Sequence, residues 1–149
     1  MSSGKVLSVT GSVTPVDLAP MDPSWITEGN PVTRATLLHK SEDGDAETFA
    51  WDCTAGKFTW HYTIDEVLTV LEGSAIVTDQ RGNTHHLSVG STMFFPKGVK
   101  ADWHVENYIR KIAICRAPLS AKMQLVRRVW QRLQGKGGQP QSMFESPAR

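Results

Sequence analysis

Apolar and polar residues alternate in short runs through the middle of the chain, and the period changes near its end. Over residues 47–53, Phe49, Trp51 and Cys53 share one face and Ala50 and Asp52 the other, the period of a half-buried strand. Residues 57–63 alternate bulky and small side chains, 67–71 are almost continuously apolar, and 74–79 set Ala75 and Val77 against Ile76 and Thr78. Residues 32–38, 84–89, 91–95, 101–105 and 108–115 complete the series. Turn signals separate these runs at 41–45, 54–56, 79–83, 90, 96–98 and 106–107, and 25–31 reads as a loop. Short strands with frequent turns predict an antiparallel all-β sandwich or barrel over 25–117. Residues 1–24, punctuated by Pro15 and Pro20, carry no period and read as an extended arm lying across the barrel or a neighbouring subunit.

Beyond Pro118 the period becomes helical. Met123, Val126, Val129, Trp130 and Leu133 fall on one face of 119–133, and Lys122, Arg127, Arg128 and Arg132 fall mainly elsewhere. Ser120 suits an N-cap and Gly135 a C-terminal stop. An amphipathic C-terminal α-helix is expected within 118–135, covering barrel or dimer surface with its arginines solvated, followed by a flexible tail over 136–149.

Composition narrows the function classes. The 149 residues suffice for one domain with its own core. A formal net charge of +1 gives no electrostatic footprint for nucleic acid. No apolar run approaches the roughly 18 residues of a membrane span, and the N-terminus lacks the apolar core of a signal peptide, so no membrane partner and a cytoplasmic location are expected. Cys53 and Cys115 are too few for a disulfide framework and read as buried thiols.

The candidate chemistry begins at Asp65-Glu66, an acidic pair wedged between apolar strands, which is costly unless it meets water, a partner or a ligand. Asp65 should point outward by alternation. By the same rule one of Arg110 and Lys111 faces inward, where it would pair with Glu66 or with an anionic substrate. His61 and His104 follow Trp60 and Trp103 and so belong to the opposite strand faces, His85 and His86 point to opposite faces, and His39 is placed in a loop.

At residues 56–73 and 90–101 the chain resembles the two motifs of the cupin superfamily. The first motif has Gly, His-x-His, Glu three or four residues on, and Gly seven after the Glu; Glu66 and Gly73 keep that separation. The second has Gly, five residues, Pro-x-Gly, two residues and His; Gly90, Pro96 and Gly98 fit. WDCTAGKFTW, DEVLTVLEG, FFPKG and the DWHV…RK ending look more specifically like small single-domain cupins grouped with ureidoglycine aminohydrolase and the ethanolamine-utilisation cupin. The resemblance covers roughly residues 25–117 and implies a jelly-roll β-barrel with Glu66 turned inward. It also exposes departures. In metal-bearing cupins the motif histidines and the Glu hold a divalent ion. Here the paired positions are Trp60 and Tyr62, the register preferred, or Thr59 and His61, and the second-motif histidine is replaced by Ala101. No cofactor and no divalent metal is therefore expected, a site rebuilt from His61, Glu66 and His104 being the remote alternative.

Three functions follow from this resemblance. The first is a metal-independent cupin binding a small polar or anionic metabolite through Trp60, Tyr62, Glu66, Ala101 and Trp103. The second is an enzyme acting on a small ureido or amino compound, with Glu66 as acid/base and Tyr62 as hydrogen-bond donor. The third is a structural or regulatory dimer in which the aromatic residues fill the barrel. A homodimer is expected because sheet edges left bare invite pairing.

Overall fold

The computed structural model describes residues 7–11, 13–117, 125, 126, 129, 132 and 133. Eight strands follow in order: β1 (Ile26–Gly29), β2 (Thr33–Lys40), β3 (Ala46–His61), β4 (Asp65–Gly73), β5 (Ala75–Thr78), β6 (Thr84–Leu87), β7 (Thr92–Phe95) and β8 (Lys100–Arg116). All their pairings are antiparallel. β3 and β8 run side by side from Ala46↔Arg116 to His61↔Lys100 and form the spine. Along one half of that spine β2 flanks β3, while β4 and then β7 flank β8. Along the other half β1 flanks β3, while β5 and then β6 flank β8. The inward side chains of both halves meet in one cluster that includes Trp51, Phe58, Tyr62, Leu68, Val77, Phe95, Trp103 and Ile109. Residues 26–116 are thus all-β, with the jelly-roll arrangement expected of them.

The spine corrects two expected turns. The signals at 54–56 and 106–107 do not end strands. They mark a bulge, where the register passes from Thr54↔Tyr108 to Gly56↔Val105. A bulge bends a strand and raises its twist, which lets one strand serve both halves. Gly56 is required there, because a Cβ would stand 2.7 Å from the Pro31 ring. The expected loop at 25–31 is also corrected. Pro23–Trp25 form a 3-10 turn whose start is capped by Asp22, and β1 follows directly. His39 lies in β2, not in a loop.

The N-terminal arm lies on the outer edge of β2. Ala19 N–H donates to Thr33 O (3.0 Å), Ala35 N–H donates to Asp17 O (2.9 Å), and Leu18 bridges Arg34. These bonds satisfy backbone groups that an edge strand otherwise leaves bare. Pro15 is fully buried, and the Arg110 guanidinium donates to Thr14 Oγ1 (3.0 Å). Beneath the arm, Arg34, Asp52, Arg110 and Glu72 stand in register across β2, β3, β8 and β4, alternating in charge.

The chain divides into two compact units, Met1–Pro118 and Leu119–Arg149. In the second, Leu125, Val126, Val129, Arg132 and Leu133 are helical, and the four aliphatic side chains are exposed. The rest of the expected helix over 118–135, and the tail over 136–149, lie outside the described residues.

Candidate functional site

Glu66 enters β4 directly after the turn that follows Tyr62. Period-two alternation puts Glu66, Leu68 and Val70 on the inner face, and all three are buried. Asp65 points the other way and accepts the Lys97 N–H (2.8 Å). Inside, Glu66 has Phe95 of β7 on one side and Cys115 of β8 on the other. A carboxylate there needs a cation, and β8 supplies it. Lys111 is the inward member of its pair, and its Nζ donates to Glu66 Oε1 at 2.5 Å. The ammonium also lies 4.6 Å from the centroid of the Trp51 ring and 5.3 Å from that of Trp103, within cation–π range of both. Arg110 turns outward, to Glu72 (2.9 Å) and Thr14.

The aromatic side chains expected at the site converge around this pair. Trp103 Nε1 donates to Tyr62 Oη (3.2 Å), and the Tyr62 ring stacks on Phe95 with centroids 4.2 Å apart. Burial, reinforced by the nearby Glu66 carboxylate, pushes the Tyr62 phenol well above its usual range, so it stays protonated and can donate. Phe58 stacks on Trp103 (6.0 Å), and Trp60 meets Trp51 edge-on (6.0 Å) and Trp25 edge-on (5.2 Å). Ala101 sits directly opposite Trp60 across the β3–β8 pair and is buried. A small residue there leaves the volume that the indole needs.

Sequence reasoning missed Trp51, Phe95 and Cys115 as neighbours of the pair, and Phe58 as the ring stacked on Trp103. Trp51 was legible as an inward position, but nothing local says that it faces Lys111. Cys115 Sγ approaches Glu66 Oε2 at 3.9 Å. Desolvation and the Glu66 charge push its thiol up to about 11, and burial pushes Cys53 up to about 12.

These residues do not fit a divalent ion. The Glu66 carboxylate is held by an ammonium, and Trp60, Tyr62 and Ala101 offer no imidazole. The alternative set of His61, Glu66 and His104 does not form. The His61 ring stacks on Trp25 (4.8 Å), and His104 lines an outer groove with Lys57, Thr59 and Asp102, so neither reaches inward. Among the described residues, no three His, Cys, Asp or Glu side chains are placed to hold a metal.

Residues 40–113 match the family model of the EutQ-like cupin domain. An ethanolamine utilization protein Q from Salmonella typhimurium is 26% identical, with a TM-score of 0.51 over 57% of this chain and 69% of that one. The Clostridium difficile EutQ protein is 24% identical, with a TM-score of 0.52 over 58% of this chain and 63% of that one. A protein of unknown function from Pseudomonas syringae is 23% identical, with a TM-score of 0.60 over 68% of this chain and 43% of that one. No curated protein matches the chain. The family match over the motif-bearing strands and the shared barrel together place the chain in the cupin superfamily, as one of its small members.

Proposed function

We propose that the chain is a metal-independent cupin that binds a small polar or anionic metabolite inside the barrel. One observation carries the reading: a buried ammonium with unused donors. Lys111 Nζ has three N–H groups, and among the described residues its hydrogen-bond acceptor is Glu66 alone. The Trp51 and Trp103 faces stabilise its charge without accepting the remaining protons in directed bonds. Tyr62 adds a hydroxyl that accepts from Trp103 and keeps its own proton for donation. A ligand oxygen, from a carboxylate or a ureido carbonyl, would be received by both. The enzyme alternative uses the same groups, with Glu66 as acid/base toward a small ureido or amino compound and Tyr62 as hydrogen-bond donor.

A second reading has support of its own. Six rings, those of Trp51, Phe58, Trp60, Tyr62, Phe95 and Trp103, pack against one another inside the barrel. That favours a filled barrel in a structural or regulatory homodimer. Exposed Phe94, Val67 and Ile114 stand side by side on β7, β4 and β8 and would give such a dimer an apolar contact. Light scattering at micromolar concentration tests the dimer, and a monomer there removes it.

The deciding experiment is calorimetric titration of untagged protein, first shown by elemental analysis to carry far less than one equivalent of metal, against small carboxylates and ureido compounds. Saturable binding that Tyr62→Phe weakens supports the binding reading. No binding by any of them supports the filled barrel. A full equivalent of transition metal would overturn both.

A further inference from the structure

The end of the barrel carries a second feature, which shares Phe95, Pro96, Lys100 and Ala101 with the span of the second motif but draws Asp79, Arg81 and His85 from outside both motifs. A cleft of about 340 Å³ opens between the β5–β6 hairpin and the segment joining β7 to β8. Its floor is apolar: Met93, Phe95, Val99 and Ala101. Arg81, His85 and Lys100 stand around it together with Asp79. Phe95 and Ala101 form the partition between this cleft and the barrel interior, since Phe95 stacks on Tyr62 and Ala101 faces Trp60. The cleft therefore lies apart from the Glu66–Lys111 pair, neither of which lines it.

Both walls are held in position before any ligand arrives. Asp79 Oδ1 accepts the N–H groups of Arg81 and Asn83 (2.9 Å each), Asn83 Nδ2 donates to Asp79 Oδ2 (3.0 Å), and His85 Nε2 lies 3.3 Å from Oδ2. The Asp79 carboxylate is thus consumed in closing the hairpin, and its charge is met by donors of the hairpin itself. On the other wall, Gly98 N–H donates to Tyr62 O (2.7 Å), Tyr62 N–H donates to Val99 O (2.9 Å), and Lys97 N–H is held by Asp65. The side chains of Arg81 and Lys100, by contrast, are exposed and engage no carboxylate among the described residues. Two uncommitted cations at the rim of a fixed apolar floor make an amphipathic receptor. The guanidinium offers paired donors to a carboxylate and the lysine a point charge. The volume lies at the small end of ligand sites, which limits the occupant to a molecule of modest size.

We propose that this cleft binds a small carboxylate with a flat apolar body, an aryl or short-chain acid, its carboxylate between Arg81 and Lys100 and its body on Phe95, Val99 and Ala101. The assignment goes beyond the barrel-interior reading and does not need it.

The test is amide chemical-shift mapping of the full chain with sodium benzoate and sodium hexanoate as probes and benzamide as the neutral control. Saturating shifts are expected in the 79–85 hairpin and at Val99, Lys100 and Ala101, with benzamide much weaker than benzoate. Arg81→Gln and Lys100→Gln should each weaken benzoate by roughly tenfold, the size of a lost charge-assisted contact. Both residues are exposed, so these variants should fold. Lys97→Gln, on the neighbouring turn and outside the cleft lining, should bind like wild type. Shifts centred on the strands around Lys111 and Trp103 would overturn the cleft and leave the interior reading standing. Equal binding of benzamide and benzoate, unchanged affinity in both variants, or no saturable shifts would overturn it as well.

Discussion

Replacing Lys111 by Met is the sharpest test of how the interior is built. The substitution keeps the length of the stem and removes the charge. The Glu66 and Lys111 side chains are 9% and 7% exposed, so solvent screens neither. Removing one partner of such a pair leaves the other buried without compensation, at a cost of ~3–5 kcal/mol. The loss of cation–π contacts with Trp51 and Trp103 acts in the same direction. For a chain of this size that stability loss corresponds to a fall in Tm on the order of 10 °C. The companion is Glu66→Gln/Lys111→Met, in which neither residue is charged. Because well-packed neutral replacements of a buried pair are often harmless, the double variant should recover at least ~2 kcal/mol relative to Lys111→Met alone. Urea unfolding at pH 7 provides the measurement. Tryptophan fluorescence is the signal, since Trp51 and Trp103 report directly on the site. If Lys111→Met costs less than ~1 kcal/mol, or if the two single substitutions add in the double variant, the pair is solvated or uncoupled and the reasoning fails.

Three further outcomes follow from Gly73 and the two thiols. Gly73 has φ +71°, and a Cβ there would stand 1.9 Å from Tyr108 O, so Gly73→Ala should lower unfolding free energy by more than ~2 kcal/mol; a wild-type urea midpoint would refute the contact. The Cys53 thiol is raised from an ordinary 9.0 to about 12 and Cys115 to about 11, so iodoacetamide at pH 8 should react slowly, with Cys115 ahead of Cys53. The unfolded chain ionises these thiols first, so their contribution to stability is complete below pH 9.0 and is lost as pH rises through about 11 and then about 12. Mass spectrometry after timed alkylation, and unfolding at stepped pH, read the two effects; fast alkylation of Cys53 would contradict them.

Much of the barrel was legible in the sequence because its signals are local. The hairpin at 79–83 closes through Asp79 and Asn83, and Gly44, Gly82, Gly90 and Gly98 all take the positive φ that their turns require. The spine was harder, since a glycine or asparagine that marks a turn marks a bulge equally well. Reading 106–107 as a turn cut β8 in two and lost its phase. Treated as one strand, Trp103, Val105, Ile109, Lys111 and Ala113 keep a single inward parity, and Lys111 follows from Trp103 by counting. The phase change lies on β3 instead, where Trp51 and Cys53 face inward before Gly56 and Phe58, Trp60 and Tyr62 after it. The extra residue itself is on β8, where Glu106 and Asn107 stand opposite Ala55 alone, so the cause of the β3 phase change is seen only when the two strands are paired. β1 was hidden for another reason. Ile26 is its partly buried residue and the next three are exposed, so the strand has no alternation to read.

The substitutions at the motif positions make sense only together. Glu66 is the one motif side chain with a charge, and without a divalent ion it would lie uncompensated in an aromatic interior, which is costly. Lys111 supplies a cation that cannot dissociate, at 2.5 Å from the carboxylate. The space that imidazoles and an ion would need is taken by Trp60 and Tyr62, and Ala101 opposite Trp60 makes room for the larger ring. Restoring one histidine would therefore not restore a metal site. Ala101→His would press an imidazole against the Trp60 indole while Lys111 still held Glu66. A divalent ion would have to displace an ammonium that the Trp51 and Trp103 rings also hold. On the binding reading proposed above, the carboxylate common to the metal-bearing barrels would serve here to fix a donor cation for a ligand oxygen.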